Sequence, residues 1–258
     1  MSKFKEAQIL STKFTYYGGM CMSIETDCGF KILVDPFFHP DFCDKARMNF
    51  SDIDLVLVTH AAYDHYGDTA EILGKSNAIL MAGTEVIRKT EREIGHLPSQ
   101  RQYATIYGDE RYFGDVCVRT MIAHHCSNTK EEADVNVSSM PLGFIVQCND
   151  GVTYYHPGDT SIFSDMRLIR ELYKPNIMIV GISRIAEQYP CEMTPREAAM
   201  ATMMVAPDVV VPSHYSPGSK SLDEFIKHID SFAPYTKVKS TIGKPFLCSS
   251  FICEDIEK

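Results

Sequence analysis

The hydrophobic positions in the first part of the chain predict a series of short strands. Three runs rich in β-branched and aromatic residues, at 14–17, 21–26 and 30–34, are separated by turn-forming segments that contain glycine. A continuous apolar run follows at 55–58, and such a run is typical of a strand that is buried on both faces. The first part of the chain is therefore expected to form a sheet.

The rest of the chain alternates strand-like and helix-like segments. Further strands are predicted at 77–81, 116–122, 143–147, 152–155, 177–180 and 209–211. Helices are predicted at 68–73, 85–94, 161–173, 195–205 and 221–232. Gly74 is expected to end the first helix, and capping boxes at Thr194 and Ser221 are expected to begin the last two. With no linker or repeat, residues 1–258 are predicted to form one α/β domain of two sheets with outer helices.

Composition and charge narrow the classes of protein. The 258 residues are 45% hydrophobic and 23% charged, which favours a globular chain over a disordered one. The formal net charge is −9, whereas nucleic-acid binding depends on basic residues, so a nucleic-acid partner is not expected. No apolar run is long enough for a membrane span, and residues 1–14 lack the apolar core of a signal peptide. A cytoplasmic location is therefore predicted, with the nine cysteines as reduced thiols.

Titratable side chains accumulate where the predicted strands end. Five of the nine histidines lie at or just after such ends, and two aspartates accompany them: His60, Asp64, His65, His125, His156, Asp159 and His214. A single histidine is most simply a surface or core residue, but several strand-end clusters in one chain indicate a site. Imidazoles and carboxylates are the ligands that suit zinc, manganese and iron. The pattern therefore predicts a metal site.

The same clusters resemble the metallo-β-lactamase superfamily, whose signature is His-x-His-x-Asp-His after a buried strand. Residues 59–68 supply this motif except for its second histidine, which is replaced by Ala62. The resemblance implies an αββα four-layer sandwich of two mixed β-sheets, and one or two divalent ions, zinc or manganese, with iron also compatible. The ligands that it implies are His60, Asp64, His65, His125, Asp159 and His214. Pro157-Gly158-Asp159-Thr160 and the segment 212–215 look closest to the L-ascorbate-6-phosphate lactonase-like members.

Ala62 has no donor atom, and this leaves three alternatives open. One ion binds alone in the complete second site, formed by Asp64, His65, Asp159 and His214. Or two ions bind, with water, His124 or His156 replacing the missing imidazole. Or the change was introduced to stop turnover. The first alternative is favoured here, with a weaker or absent first site.

The resemblance also implies an activity. A metal ion lowers the pKa of bound water from near 16 to about 7 and so supplies hydroxide. We expect attack on a small ester, lactone or phosphorylated sugar-like substrate. Asp64 orients the nucleophile, Tyr63 donates a hydrogen bond to the developing oxyanion, and Arg184 binds an anionic group. Alternatives are a phosphodiesterase of the same fold and a non-catalytic metabolite-binding protein. The expected partner is a small molecule, and the lactonase-like resemblance allows a homo-oligomer.

Overall fold

Two β-sheets packed face to face form the centre of the protein. In the computed structural model, residues 11–130, 136–184, 191–249 and 253–256 are described, so the start of the chain on which the signal-peptide expectation rests lies largely outside them. The eight strands of the first sheet are, in spatial order, β17 (Cys253–Asp255), β16 (Phe246–Cys248), β1 (Thr12–Tyr16), β2 (Met22–Glu25), β3 (Lys31–Val34), β4 (Leu55–Val58), β5 (Ile79–Ala82) and β6 (Gln102–Ala104). Pairing is antiparallel from β17 to β3 and parallel from β3 to β6, so this sheet is mixed.

The second sheet is mixed as well and has seven strands. In spatial order they are β15 (Lys237–Val238), β14 (Val209–Ser213), β13 (Ile177–Gly181), β12 (Thr153–His156), β11 (Leu142–Gln147), β8 (Val116–Ile122) and β7 (Glu110–Phe113). Strands β12 to β15 are parallel, whereas β11 is antiparallel to both β12 and β8. A separate two-stranded ribbon, β9 (Ser127–Lys130) and β10 (Asn136–Ser139), follows β8 along the chain.

Helices cover the outer face of each sheet. The helices of the first half are α1 (Tyr63–Tyr66), α2 (Thr69–Lys75) and α3 (Thr84–Ile94), and those of the second half are α4 (Met166–Tyr173), α5 (Pro195–Val205) and α6 (Ser221–Phe232). Short 3-10 turns lie at Lys45–Arg47 and Ser99–Arg101. Three apolar clusters separate the layers: one between the sheets, one under α2 and α3, and one under α4 to α6. The predicted αββα four-layer sandwich is confirmed.

The strand β4 shows how the apolar pattern produces these layers. Leu55 and Leu57 point into the cluster between the sheets, while Val56 and Val58 point into the cluster under the helices. Successive side chains of a strand point to opposite faces, so only an uninterrupted apolar run can serve two buried faces. The predicted bounds 55–58 and 116–122 agree with β4 and β8, and the predicted hairpin is β11 and β12.

Helix ends were predicted with mixed success. The Thr194 capping box is present at the start of α5, as expected. The prediction of a second capping box at Ser221 is wrong, because the N-cap residue of α6 is Lys220 and its side chain makes no capping hydrogen bond. Gly74 does not end α2, which continues to Lys75, since one glycine costs a helix only about 1 kcal/mol. Helix α4 begins at Met166 rather than at 161, because the preceding segment is bonded to the loop after β8.

The expectation that all nine cysteines are reduced thiols is wrong for two of them. Cys248 and Cys253 face each other across the β16–β17 ladder and form a disulfide. The two residues are only five positions apart, but their pairing depends on a strand register that the sequence does not display. The other seven cysteines are free, and Cys21, Cys117 and Cys148 among them are buried. Within the described residues, no helix is long and apolar enough to cross a membrane.

Candidate metal centre

The strand-end residues of both sheets meet at one edge of the sandwich. His60 follows β4, and Asp64 and His65 lie on the short helix α1 next to it. From the second sheet, His125 follows β8, Asp159 follows β12 and His214 follows β14. Strands β8 and β12 are both antiparallel to β11, so their carboxyl ends lie at the same edge. The sheet topology therefore brings together residues that are distant in sequence, such as Asp64 and His214, which are 150 positions apart.

Asp159 lies at the middle of this cluster. Its Oδ2 atom is 3.2 Å from His65 Nε2, 3.5 Å from His214 Nε2 and 3.9 Å from His125 Nε2. His214 Nε2 is also 3.3 Å from Asp64 Oδ2. The ring of His60 lies 4.1 Å from that of His65 and 5.1 Å from that of His125, centroid to centroid. All six predicted ligands are thus neighbours around one carboxylate.

The donor atoms of the cluster fit a divalent cation. Nε2 of His60 and Nε2 of His65 are buried and have no hydrogen-bond partner of good geometry. Buried polar atoms without a partner are costly, and a bound cation removes that cost. Potential ligand atoms of His60, His65 and Asp159 lie within 4.8 Å of one another, as do those of Asp64, His65 and His214. A mixed set of imidazoles and carboxylates is suited to zinc, manganese or iron.

The pKa shifts of the histidines indicate that the cluster is suited to binding a cation. Burial lowers the pKa of His214, but the carboxylates of Asp159, Asp64 and Glu192 together outweigh burial and raise the pKa to about 9. Burial also lowers the pKa of His65, but the carboxylates of Asp159 and Asp35 together raise it well above its usual value. Burial and the neighbouring His65 lower the pKa of His60 to about 3, so its ring is neutral and offers a lone pair. The carboxylates that raise the pKa of these two buried imidazoles would likewise stabilise a metal cation placed between them.

Asp35 contacts His65 on the side of the ring that faces away from Asp159, and the sequence analysis did not assign it this role. His65 Nδ1 is 2.7 Å from Asp35 Oδ2, and the same carboxylate accepts hydrogen bonds from Thr59 N at 2.8 Å and from Thr59 Oγ1 at 2.7 Å. Both Asp35 and His65 are fully buried. A carboxylate on one ring nitrogen directs the other nitrogen toward a metal. The signal in the sequence was the Asp-Pro that follows β3, which is a third strand-end carboxylate beside Asp64 and Asp159.

Ala62 lies at the amino-terminal cap of α1, and the contacts of His156 and His124 bear on whether either histidine replaces the missing imidazole. Nε2 of His156 is 2.9 Å from the carbonyl oxygen of Met20, and its Nδ1 accepts from the Gly158 amide at 3.2 Å. Both ring nitrogens are therefore engaged by the backbone. His124 is exposed and stacks on Phe163 at 4.7 Å between centroids. The expectation that His156 or His124 fills the gap is not supported by these contacts.

Glu192 enters the cluster, and sequence reasoning missed it. Only 7% of its side chain is exposed, and its Oε2 atom is 3.5 Å from His214 Nδ1. A carboxylate oxygen of Glu192 and ligand atoms of His125 and Asp159 all lie within 4.8 Å of one another. Burial and the nearby Asp159 raise the pKa of Glu192. The residue follows no strand and belongs to no recognised motif, so only the folded chain identifies it.

The two other predicted catalytic residues lie at the margin of the cluster. Tyr63 begins α1, is 51% exposed and packs edge-on against Phe37 at 5.6 Å between centroids. Arg184 is exposed and lines a cavity of about 480 Å³ together with Ser183, Ser216 and Ser219. The carbonyl oxygen of Ser183 is 3.5 Å from His214 Nδ1, so this cavity adjoins the cluster.

Comparison with known proteins gives the family. A family model described as "Beta-lactamase superfamily domain" matches residues 24–215. A "UPF0173 metal-dependent hydrolase" of Rubrobacter xylanophilus is 31% identical over 228 residues, which cover 84% of this chain and 88% of that protein. Another, of Thermodesulfovibrio yellowstonii, is 31% identical over 249 residues, with 91% of each chain covered. Among solved structures, Igni18, a metallo hydrolase of Ignicoccus hospitalis, has a TM-score of 0.72 at 25% identity and covers 96% of this chain and 100% of that one.

The fold and the cluster of potential ligands define a hydrolase of the metal-dependent class. The chain belongs to the metallo-β-lactamase superfamily, as its motifs predicted, and it is a metal-dependent hydrolase. The relatives carry the same general designation and name no substrate.

Proposed function

We propose that His60, Asp64, His65, His125, Asp159 and His214 hold the divalent metal of this hydrolase, zinc or manganese, with iron also compatible. The substrate that we propose is a small ester, lactone or phosphorylated sugar-like compound that carries a negative charge. The observation that supports this proposal is the cavity lined by Arg184, which adjoins the cluster through Ser183.

The side chains of the cluster would have different roles in binding the metal and in hydrolysis. Asp159 is close to three imidazoles and so would hold the charge at the centre of the site. Asp35 keeps the Nδ1 proton of His65 engaged, so that Nε2 is directed inward. Asp64 contributes a carboxylate that can also orient the attacking water. When bound, a divalent cation lowers the pKa of water to about 7 and polarises the bond to be cleaved.

Two residues at the margin would act on the substrate itself. Tyr63 begins α1 beside the cluster, and half of its surface is exposed, so its hydroxyl can donate a hydrogen bond to a substrate oxygen on which negative charge develops. Arg184 would bind the anionic group of the substrate, because a guanidinium matches a carboxylate or phosphate with two parallel hydrogen bonds. The anionic group would then lie in the cavity, and the bond to be cleaved would lie above Asp159.

Replacement of Arg184 tests the substrate class. For Arg184→Ala we expect KM for an anionic lactone or ester to rise at least tenfold, with KM for a neutral ester changed less than twofold. Arg184→Lys, which retains the charge but loses the paired geometry, should fall between the two. Initial rates on matched charged and neutral substrates are the measurement.

The outcomes separate the alternatives. An equal rise in KM for charged and neutral substrates would exclude Arg184 as an anion-binding residue. Turnover of a phosphodiester alone would instead favour the phosphodiesterase of the same fold.

A further inference from the structure

The first metal site of the motif lacks a ligand, and the folded chain contains a buried carboxylate close to it. Without an imidazole at Ala62, the motif leaves His60 and His125, with Asp159 shared between the two sites. Structural and catalytic zinc sites commonly use three or four protein ligands for each ion. A site of two imidazoles and one shared carboxylate has only three ligands, and its carboxylate is divided between two ions, so a further donor would strengthen the site.

Glu192 has the properties of a ligand rather than those of a surface residue. Its side chain is 93% buried, since only 7% is exposed, and its Oε2 atom has no hydrogen-bond partner. The nearest cationic group that the structure describes is the His214 ring, whose Nδ1 is 3.5 Å from Oε2 and makes no hydrogen bond of good geometry with it. A metal ion in contact with this buried oxygen would therefore stabilise the carboxylate further. The oxygen is close to a second carboxylate, that of Asp159, and two buried carboxylates repel each other unless a positive charge lies between them.

The distances limit which ion Glu192 can reach. Ligand atoms of His125, Asp159 and Glu192 all lie within 4.8 Å of one another, which is compact enough for a single ion. His125 belongs to the first site in the arrangement that the motif implies, and Asp159 is the bridging residue. His156 cannot supply the missing donor, because both of its ring nitrogens are engaged by the backbone.

We infer that Glu192 is a metal ligand that replaces the missing imidazole and completes the first site with His60, His125 and Asp159. This inference rests on the proposed metal centre and extends it to two ions per chain. The replacement also changes the chemistry of the site. Two imidazoles and two carboxylates are a harder donor set than three imidazoles and one carboxylate, so the preference for Zn²⁺ over Mn²⁺ should be weaker at this site than at one with three imidazoles.

Metal content of the full chain tests the inference. We would load the wild-type chain and its variants with Mn²⁺, remove weakly bound metal, and measure bound ions by elemental analysis and coupled-spin signals by EPR. The wild-type chain should bind two ions with a coupled signal. Glu192→Ala should bind one with an uncoupled signal, while the exposed control Glu171→Ala should behave like the wild type.

A rescue variant separates ligation from a structural effect. Ala62→His combined with Glu192→Ala restores the motif histidine, so it should return the count to two and shift the first site toward Zn²⁺. Glu192→Gln, which keeps the side-chain volume, should also weaken the first ion at least tenfold. Unchanged far-UV circular dichroism would show that these variants fold.

Three other results would contradict the assignment of Glu192, and only the last of them would also contradict the proposed metal centre. Two ions of wild-type affinity in Glu192→Ala and Glu192→Gln would overturn the inference. A wild-type chain that binds one ion regardless of residue 192 would also overturn it and leave the proposed hydrolase centre intact. A wild-type chain that binds none after loading would overturn both.

Discussion

Asp35 shows how a single residue outside the ligand set can determine the affinity of the site. It is fully buried, accepts from Thr59 twice and contacts His65 Nδ1, and its backbone φ is +46°. A residue other than glycine in this left-handed region is uncommon and costs about 1 kcal/mol or more. The strain is tolerated because three contacts hold the carboxylate in one position.

We expect Asp35→Asn to weaken metal binding 10-fold to 100-fold, the range found for partners of metal-bound histidines. The NH₂ group of the asparagine would face one of the groups that now donate a hydrogen bond to the carboxylate. That hydrogen bond would be lost, so His65 would lose its fixed orientation. Titration with Mn²⁺ or Zn²⁺ against a competing chelator would measure the loss.

Asp52→Asn is the matched control, since Asp52 pairs with Lys31 on the exposed surface of the same sheet. That variant should bind metal as the wild type does. If both variants bound metal equally, Asp35 would be a packing residue and no more.

The sequence predicts ligands when a local motif carries them. His60, Asp64 and His65 share one segment, and His125, Asp159 and His214 each follow a predicted strand. Glu192 could not be found in this way, because it follows no strand and is brought to the site only by the tertiary fold. The role of Asp35 needed the same information, since it lies 30 residues before the histidine that it holds.

At the level of elements, the turn after β12 decides where Asp159 lies. Gly158 has a φ of +63°, and a Cβ atom there would lie 2.6 Å from the carbonyl oxygen of Leu142 and 2.9 Å from Thr59 Cβ. Gly114, in the turn between β7 and β8, has a φ of +61° but nothing within 4 Å of such an atom. The two glycines share the same left-handed backbone conformation and differ in the space around them.

We therefore expect Gly158→Ala to cost far more stability than Gly114→Ala. Both variants should lose about 1–2 kcal/mol from the left-handed conformation. Gly158→Ala should lose about 2 kcal/mol more because the backbone must shift, and it should also weaken metal binding by moving Asp159. Urea denaturation of the two variants would compare them. Equal losses would show that the close approach at Gly158 is relieved without cost.

The helices and strands that could be predicted are those with a local sequence pattern, and those that depend on distant contacts were missed or misplaced. The bounds of β4, β8 and α5 follow from a buried run, a strand pattern and a capping box, which are all local. Strands β6, β7, β9, β10 and β15 to β17 were not predicted, because they are short and depend on partners already in place. The start of α4 was misplaced since contacts with the loop after β8 hold the segment before it.

At the scale of the whole molecule, the proposed ions join the two sheets. Three ligands come from the first sheet and its helix α1, and three follow strands of the second sheet. A ligand that binds only the folded state stabilises it by about 2.7 kcal/mol at 100 times its Kd. Removal of the metal should therefore lower the stability of the whole domain.

We expect a chelator to lower the Tm by several degrees, and we expect Asp159→Ala to show no further change when chelator is added. Calorimetry in the presence of excess metal and then of chelator would measure both shifts. An exposed substitution such as Glu224→Ala should retain the full chelator effect. A wild-type Tm that is indifferent to metal would contradict an ion shared between the sheets.

The wide separation of the ligands along the chain also has a consequence for the order of folding. Asp64 and His214, whose side chains are 3.3 Å apart, are separated by 150 positions, so closing that loop comes late. No fragment of the chain that lacks either sheet contains the site, and an ion has nothing complete to bind until both sheets have docked. A metal ion bound at this site would therefore slow unfolding of the native state and would have no part in the earlier steps of folding.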